Sequence, residues 1–190
     1  MHSHWRRVWR SLTERVTLNF SPGQVVVHPH HGPATIAKIA NRKIRNSTVR
    51  YLKLEVDELS VAIPVDRAEE MGVRALIDTA AVREVFATLT AESEPNETVW
   101  SRRMKQNTTR LRSGDINTVA GLVRDLTRRN EVKRLSFGEM TLLRDAQEPL
   151  IAELAIVLGA STEDTEAMLH AAILEGEIPT IPDTELAPTG

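Results

Sequence analysis

Hydrophobic and polar positions change rhythm once along this chain. From Phe20 to Pro64 the apolar residues come in short β-branched runs separated by turn residues; from Asp78 onward they recur every three or four positions. The first pattern fits short strands and the second amphipathic helices. Pro22-Gly23 predicts a turn, followed by a strand over Gln24–His28 that Pro29 and Gly32-Pro33 interrupt. A second strand is expected over Ala34–Arg42, with Thr35, Ala37, Ile39 and Asn41 on one face and Ile36 and Lys38 on the other. Asn46-Ser47 then reads as a hairpin turn into Thr48–Val56, and a tight turn near Asp57-Glu58 leads to Leu59–Ile63, ended by Pro64. With a possible fifth strand near Met71–Arg74, this spacing predicts a small SH3- or Tudor-like β-barrel.

The helical half is punctuated by caps. Asp78 can cap Thr79–Thr90, whose Val82, Val85, Phe86 and Leu89 form an apolar face. The acidic segment Ala91–Thr98, containing Pro95, reads as a linker, and a helix over Trp100–Arg112 should stop at Ser113-Gly114. Asp115 caps a helix lined by Ile116, Val119, Leu122, Val123 and Leu126, with Arg124, Arg128 and Arg129 expected to face out. Ser136 and Glu139 form a capping-box signature for a helix through Leu158, which Pro149 should kink or split. Gly159 ends it, and Ser161 caps a last helix to about Glu175. The expected fold class is α+β in two domains: an N-terminal small barrel over 18–76, then a compact C-terminal all-α domain over 77–176. The Pro-rich tail, 177–190, is expected to be disordered. Residues 1–17 form a basic extension with Trp5, Trp9 and four arginines; an initiation site at Val16 is expected, placing residues 1–15 outside the native protein.

Composition removes several function classes. Without cysteine there is no disulfide framework, zinc-thiolate site or thiol nucleophile. No apolar run reaches the roughly 18–20 residues that span a bilayer, and the N-terminus lacks a signal-peptide core. No Walker-type loop, GxGxxG or GxSxG occurs, and no carboxylates pair in an apolar setting, so a non-catalytic protein without cofactor is expected. His28, His30 and His31 resemble a ligand set, yet Pro29 and Gly32 make the segment a turn and no acidic partner is near; a turn is the preferred reading.

Charge sharpens the picture. The net −2 hides ten Lys/Arg against three Asp/Glu between Trp100 and Arg134, and eleven acidic residues against Arg144 alone after Leu135. A basic block of this kind suits a polyanion. At its start, Trp100 is followed at once by Arg102, Arg103 and Lys105. An aromatic wedge beside cations can hold phosphates and press on an unstacked base step. The same periodicity puts Trp100, Met104, Asn107 and Leu111 on one face, which would make Trp100 the first residue of a core stripe. Both readings stand on the sequence.

Several stretches taken together resemble a known family. Pro22-Gly-Gln-Val-Val-Val-His-Pro-His-His-Gly32, Leu59-Ser-Val-Ala-Ile-Pro64, Gly72-Val-Arg74, Trp100-Ser-Arg-Arg103, Ser113-Gly-Asp115 and Val123-Arg-Asp-Leu126 are similar, in order and spacing, to the CarD/CdnL family of bacterial transcription regulators. The barrel alone also resembles the polymerase-interacting domain of the transcription-repair coupling factor. The resemblance implies a cytoplasmic, nucleoid-associated monomer whose barrel docks on the RNA polymerase β subunit through an edge strand. It implies that the helical domain contacts promoter DNA at the upstream edge of the bubble and stabilises the open complex, including at rRNA promoters. The implied DNA-binding residues are Trp100 as wedge with Arg102, Arg103, Lys105, Arg124 and Arg128. The implied polymerase-binding residues are Arg42, Ile44, Arg50, Lys53, Val61, Ala62, Ile63 and Pro64. Ala62 departs from the family, which carries arginine there; Arg50 or Lys53 would have to compensate. The adaptor alternative, a barrel that binds polymerase or another protein without a DNA contact, remains beside it.

Overall fold

A computed structural model describes residues 20–29, 31–44, 47–56, 58–93 and 97–181. The expectations for the N-terminal extension, for His30 and for residues 182–190 of the tail fall outside these. Five antiparallel strands come first: β1 (Val25–His28), β2 (Gly32–Ile44), β3 (Ser47–Val56), β4 (Leu59–Pro64) and β5 (Arg74–Ala75), in spatial order β4-β3-β2-β1-β5. They enclose Val26, Ala34, Ile36, Leu52, Leu54 and Ile63, closed by Ala68 and Val73 after a 3₁₀ turn at Val65–Arg67. The Tudor-like expectation therefore holds.

Two local corrections follow from geometry. Gly32-Pro33 do not separate strands but begin β2, pairing with His28 and Val27 across a tight hairpin. Proline is tolerated there because a strand's first residues do not all need to donate to the ladder. Strict alternation also fails in β2. A register shift between Ile36 and Lys38 leaves Ala37 without a partner on β3, so Ile36 lies opposite Leu54 and Ile39 opposite Leu52. One extra residue reverses which side chains face inward, and Ile39 packs on the same core as Ile36.

Five helices follow: α1 (Thr79–Thr90), α2 (Trp100–Arg112), α3 (Ile116–Val132), α4 (Phe137–Leu158) and α5 (Thr162–Leu174). Asp78, Asp115, Ser136 and Ser161 all accept a backbone N–H at the N-cap, as the sequence signatures predict. Val82, Val85, Phe86 and Leu89 of α1 meet Leu122, Val123 and Leu126 of α3, Leu150 and Leu154 of α4, and Leu169 and Ile173 of α5 in one core. Full burial of each such side chain stabilises by about 1.5–3 kcal/mol.

The expected split at Pro149 does not occur: α4 runs unbroken through it. The carbonyl that loses its partner belongs to Asp145, which is exposed and can bond water. Ala146, Leu150, Ile151 and Leu154 anchor the helix on both sides of the proline. Pro149 itself touches the sheet. Gly32, at φ +70°, has its absent side-chain position 3.3 Å from Pro149 Cβ, so the two pack backbone to ring. Beside this contact, Arg74 of β5 donates both terminal guanidinium nitrogens to Glu153 of α4, at 2.5 and 2.8 Å, and Ile77 N–H adds a third bond at 3.1 Å. These contacts form the seam between sheet and helices.

Candidate nucleic-acid interface

Trp100 is the first residue of α2 and is 52% exposed, so it does not begin the core stripe. The inward positions are Arg103 and Asn107, with Met104 and Leu111 packed against the helical core. Val99 at the N-cap offers no side-chain acceptor. The tryptophan is instead held from outside its own helix. Its indole Nε1–H donates to Ser136 Oγ at 3.1 Å, and that serine caps α4.

Behind this bond lies a buried network. The Ser136 hydroxyl sits 2.7 Å from Glu139 Oε2, which also accepts Ser136 N–H at 3.0 Å. Arg103 Nε donates to Glu139 Oε1 at 2.8 Å, with both side chains almost wholly buried. The same guanidinium donates to the carbonyls of Glu97 and Thr98, just ahead of Trp100. Burial pushes the Glu139 carboxyl up, but hydrogen bonds from Ser136 and Arg103 outweigh it and hold the group below the usual carboxylate range.

The cations expected at this surface separate into two sets. Arg102 and Lys105 are exposed, three residues apart on α2, and make no side-chain bond among the described residues. Arg103 is inside the fold, as described. Arg124 and Arg128 do not face out either, and Arg129 turns its Nε toward the buried Glu139 carboxylate at 3.6 Å, which corrects the sequence reading of α3. Arg124 bonds Asp125 and the Thr88 carbonyl, and Asp125 also takes Arg110 at 2.9 Å. Arg128 reaches the carbonyls of Leu89, Thr90 and Ala91 at the end of α1 and of Ile173 at the end of α5. A cation is favourable where unpaired carbonyls gather at helix C-termini, and a long arginine can reach them from a position whose periodicity reads as surface. These three arginines hold the fold together.

Next to Trp100 the surface also carries apolar groups. Val99 precedes it, and Phe137, immediately after Ser136, is 89% exposed; Val132 and Met140 are exposed elsewhere on α3 and α4. Phe137, Met140 and Thr141 join Arg134, Leu135 and Arg144 around a shallow pocket of about 420 Å³. Sequence reasoning missed this group; the available signal was that Phe137 follows an N-cap and lies off the stripe that continues through Leu142 and Ala146.

The other predicted surface lies on the sheet. β4 is an edge strand. Ladder register puts Lys53 directly opposite Ala62, and Tyr51 opposite Pro64, on the face away from the core. Arg42 and Ile44 continue that face at the far end of β2, both exposed. Arg50 is exposed but falls on the opposite side of β3 by alternation. Ile63 is fully buried and offers only its backbone to a partner, while Val61 is half-buried against the core. Lys53 is thus the cation nearest Ala62, and it pairs with Glu55 at 3.1 Å. His28 is buried and stacks near His31, with ring centroids 4.7 Å apart. Among the described residues no three potential metal ligands converge, and no helix is long and apolar enough to cross a membrane.

Comparison with known proteins gives two family matches. The CarD-like/TRCF RID domain matches residues 20–77, and the CarD C-terminal domain matches residues 84–170. The Bacillus subtilis (strain 168) protein named "Putative transcription factor YdeB" is 26% identical over 150 residues, covering 78% of this chain and 98% of that protein.

Proposed function

From the premise that this chain belongs to the CarD family of RNA polymerase-interacting transcription regulators, we propose that it stabilises the open promoter complex. The edge of the sheet at β4 docks on the polymerase β subunit, and Trp100 enters the minor groove at the upstream edge of the bubble. The observation that carries this reading is a half-exposed tryptophan at a helix start, held by its indole nitrogen, with the exposed cations Arg102 and Lys105 within the next five residues.

The physics of such a site is modest and sufficient. A few phosphate contacts give salt-sensitive, sequence-tolerant binding, with Kd on the order of 10⁻⁴–10⁻⁶ M. Docking on polymerase raises the effective concentration of the helical half to around mM and supplies the targeting. Preferring the open state by about 1.4 kcal/mol shifts its equilibrium tenfold. An apolar wedge between base steps has that preference, because an unstacked step accepts it at lower cost than an intact one.

Open-complex lifetime measured against a competitor tests the proposal. Trp100→Ala should shorten the lifetime while polymerase pulldown is unchanged; equal lifetimes refute the wedge. The exposed Phe137 and Val132 favour a second reading, an adaptor that contacts protein rather than DNA. A salt titration of binding to forked promoter DNA separates the two, since a flat slope fits only the adaptor.

A further inference from the structure

We propose that Ser136, Glu139 and Arg103 are positioning residues that hold Trp100 in its outward, DNA-facing orientation before DNA arrives. The proposal rests on the DNA contact assigned to Trp100 above. Ser136 Oγ lies 2.7 Å from a carboxylate oxygen of Glu139, which can only accept, so the hydroxyl proton points there. The remaining lone pairs of Oγ then face the indole N–H at 3.1 Å and the backbone N–H of Glu139 at 3.4 Å. The serine is fixed as an acceptor toward the tryptophan.

Glu139 governs the backbone of Trp100 as well. Its second oxygen takes Arg103 Nε, and the same guanidinium grips the carbonyls of Glu97 and Thr98. One buried carboxylate therefore sets the chain entering Trp100 and, through Ser136, the edge of its ring. An exposed aromatic side chain without such bonds samples several rotamers and loses that freedom on binding. Here the indole bond to Ser136 restricts that freedom in the free protein. The pyrrole edge is tied to α4, which leaves the opposite edge of the ring to meet DNA.

The capping function of Ser136 must be separated from this role. Glycine is nearly as good an N-cap as serine, so Ser136→Gly removes the indole acceptor while largely keeping α4. Ser136→Thr keeps both cap and hydroxyl, and Trp100→Phe keeps an aromatic wedge that has no N–H to hold. Open-complex lifetimes with polymerase holoenzyme and the full chain should fall by roughly threefold for Ser136→Gly, the scale of one side chain's ordering, and recover in Ser136→Thr. In the Trp100→Phe background, Ser136→Gly should have no further effect. In the free protein, the indole ¹H–¹⁵N resonance that Trp100→Phe deletes should move upfield in Ser136→Gly and stay in Ser136→Thr. Parent-like lifetimes in Ser136→Gly, or an equal loss in the Trp100→Phe background, overturn the proposal while leaving the wedge intact. Parent-like lifetimes in Trp100→Ala remove the wedge itself, and the positioning role with it.

Discussion

Arg74→Met should destabilise the protein more than Glu153→Gln, although both break the same ion pair. The reason is an asymmetry of burial. Glu153 is 3% exposed by side chain and Arg74 is 36% exposed. Methionine keeps the apolar stem of Arg74 but leaves a buried carboxylate with one remaining donor, Ile77 N–H. Stranding one partner of a buried pair costs about 3–5 kcal/mol. In Glu153→Gln the amide oxygen can still accept from Ile77 and Arg74, and the guanidinium can turn toward water. What is lost is the Arg74 Nη2 bond, which an amide nitrogen cannot accept, and the charge assistance of the two bonds that remain, together about 1–2 kcal/mol once the guanidinium turns to water. The two variants should differ by about 2 kcal/mol on these figures. The double variant strands neither charge, so it should be more stable than Arg74→Met alone. Urea unfolding followed by circular dichroism at neutral pH reads all four proteins. Equal costs, or a larger cost for Glu153→Gln, would mean that water reaches Glu153 once the arginine is gone, and the reasoning from burial would fail.

Three further outcomes are expected. In polymerase pulldowns, Arg42→Glu should weaken capture and Ala62→Arg should strengthen it, because position 62 lies opposite Lys53 on the outward face of an edge strand; no change in either removes this face from the contact. Gly32→Ala should cost about 1–2 kcal/mol for its left-handed backbone, with more from the 3.3 Å approach to Pro149; an unchanged melting temperature would contradict it. The Glu139 carboxyl is held below its usual range, so its stabilisation is present above the unfolded value near pH ~4.3 and fades as pH falls through its lower folded value. Urea unfolding from pH 6 to 3 should therefore show the parent losing stability more steeply below pH ~4 than Glu139→Gln; parallel curves would count against it.

Local signals carried most of the architecture. The caps Asp78, Asp115, Ser136 and Ser161, and the α1 face of Val82, Val85, Phe86 and Leu89, were readable because each depends on residues within one or two turns. The misreadings have equally physical causes. Alternation separates Ile39 from Ile36, and the two share a core because a bulge at Ala37 cannot be seen in a period-two pattern. Pro149 was expected to break α4 because propensity ignores packing on both sides of the ring. Arg103, Arg124 and Arg128 read as surface charge because a long arginine side chain can reverse direction and end on backbone carbonyls of another segment. Ser136 was legible as a cap and not as the acceptor for Trp100, since that bond joins residues 36 apart in sequence.

Sheet and helices match separate family descriptions, over residues 20–77 and 84–170, as if they were interchangeable parts. The contact of Gly32 with Pro149 argues otherwise. A side chain at the first position would come 3.3 Å from the ring at the second, so one of them must give way, and a residue of different shape at the second leaves the hairpin of β1 and β2 without its neighbour. Recombination between relatives at the junction of the two domains would then cost least stability when both positions travel together. Within this chain, the boundary that is open in sequence is closed in shape.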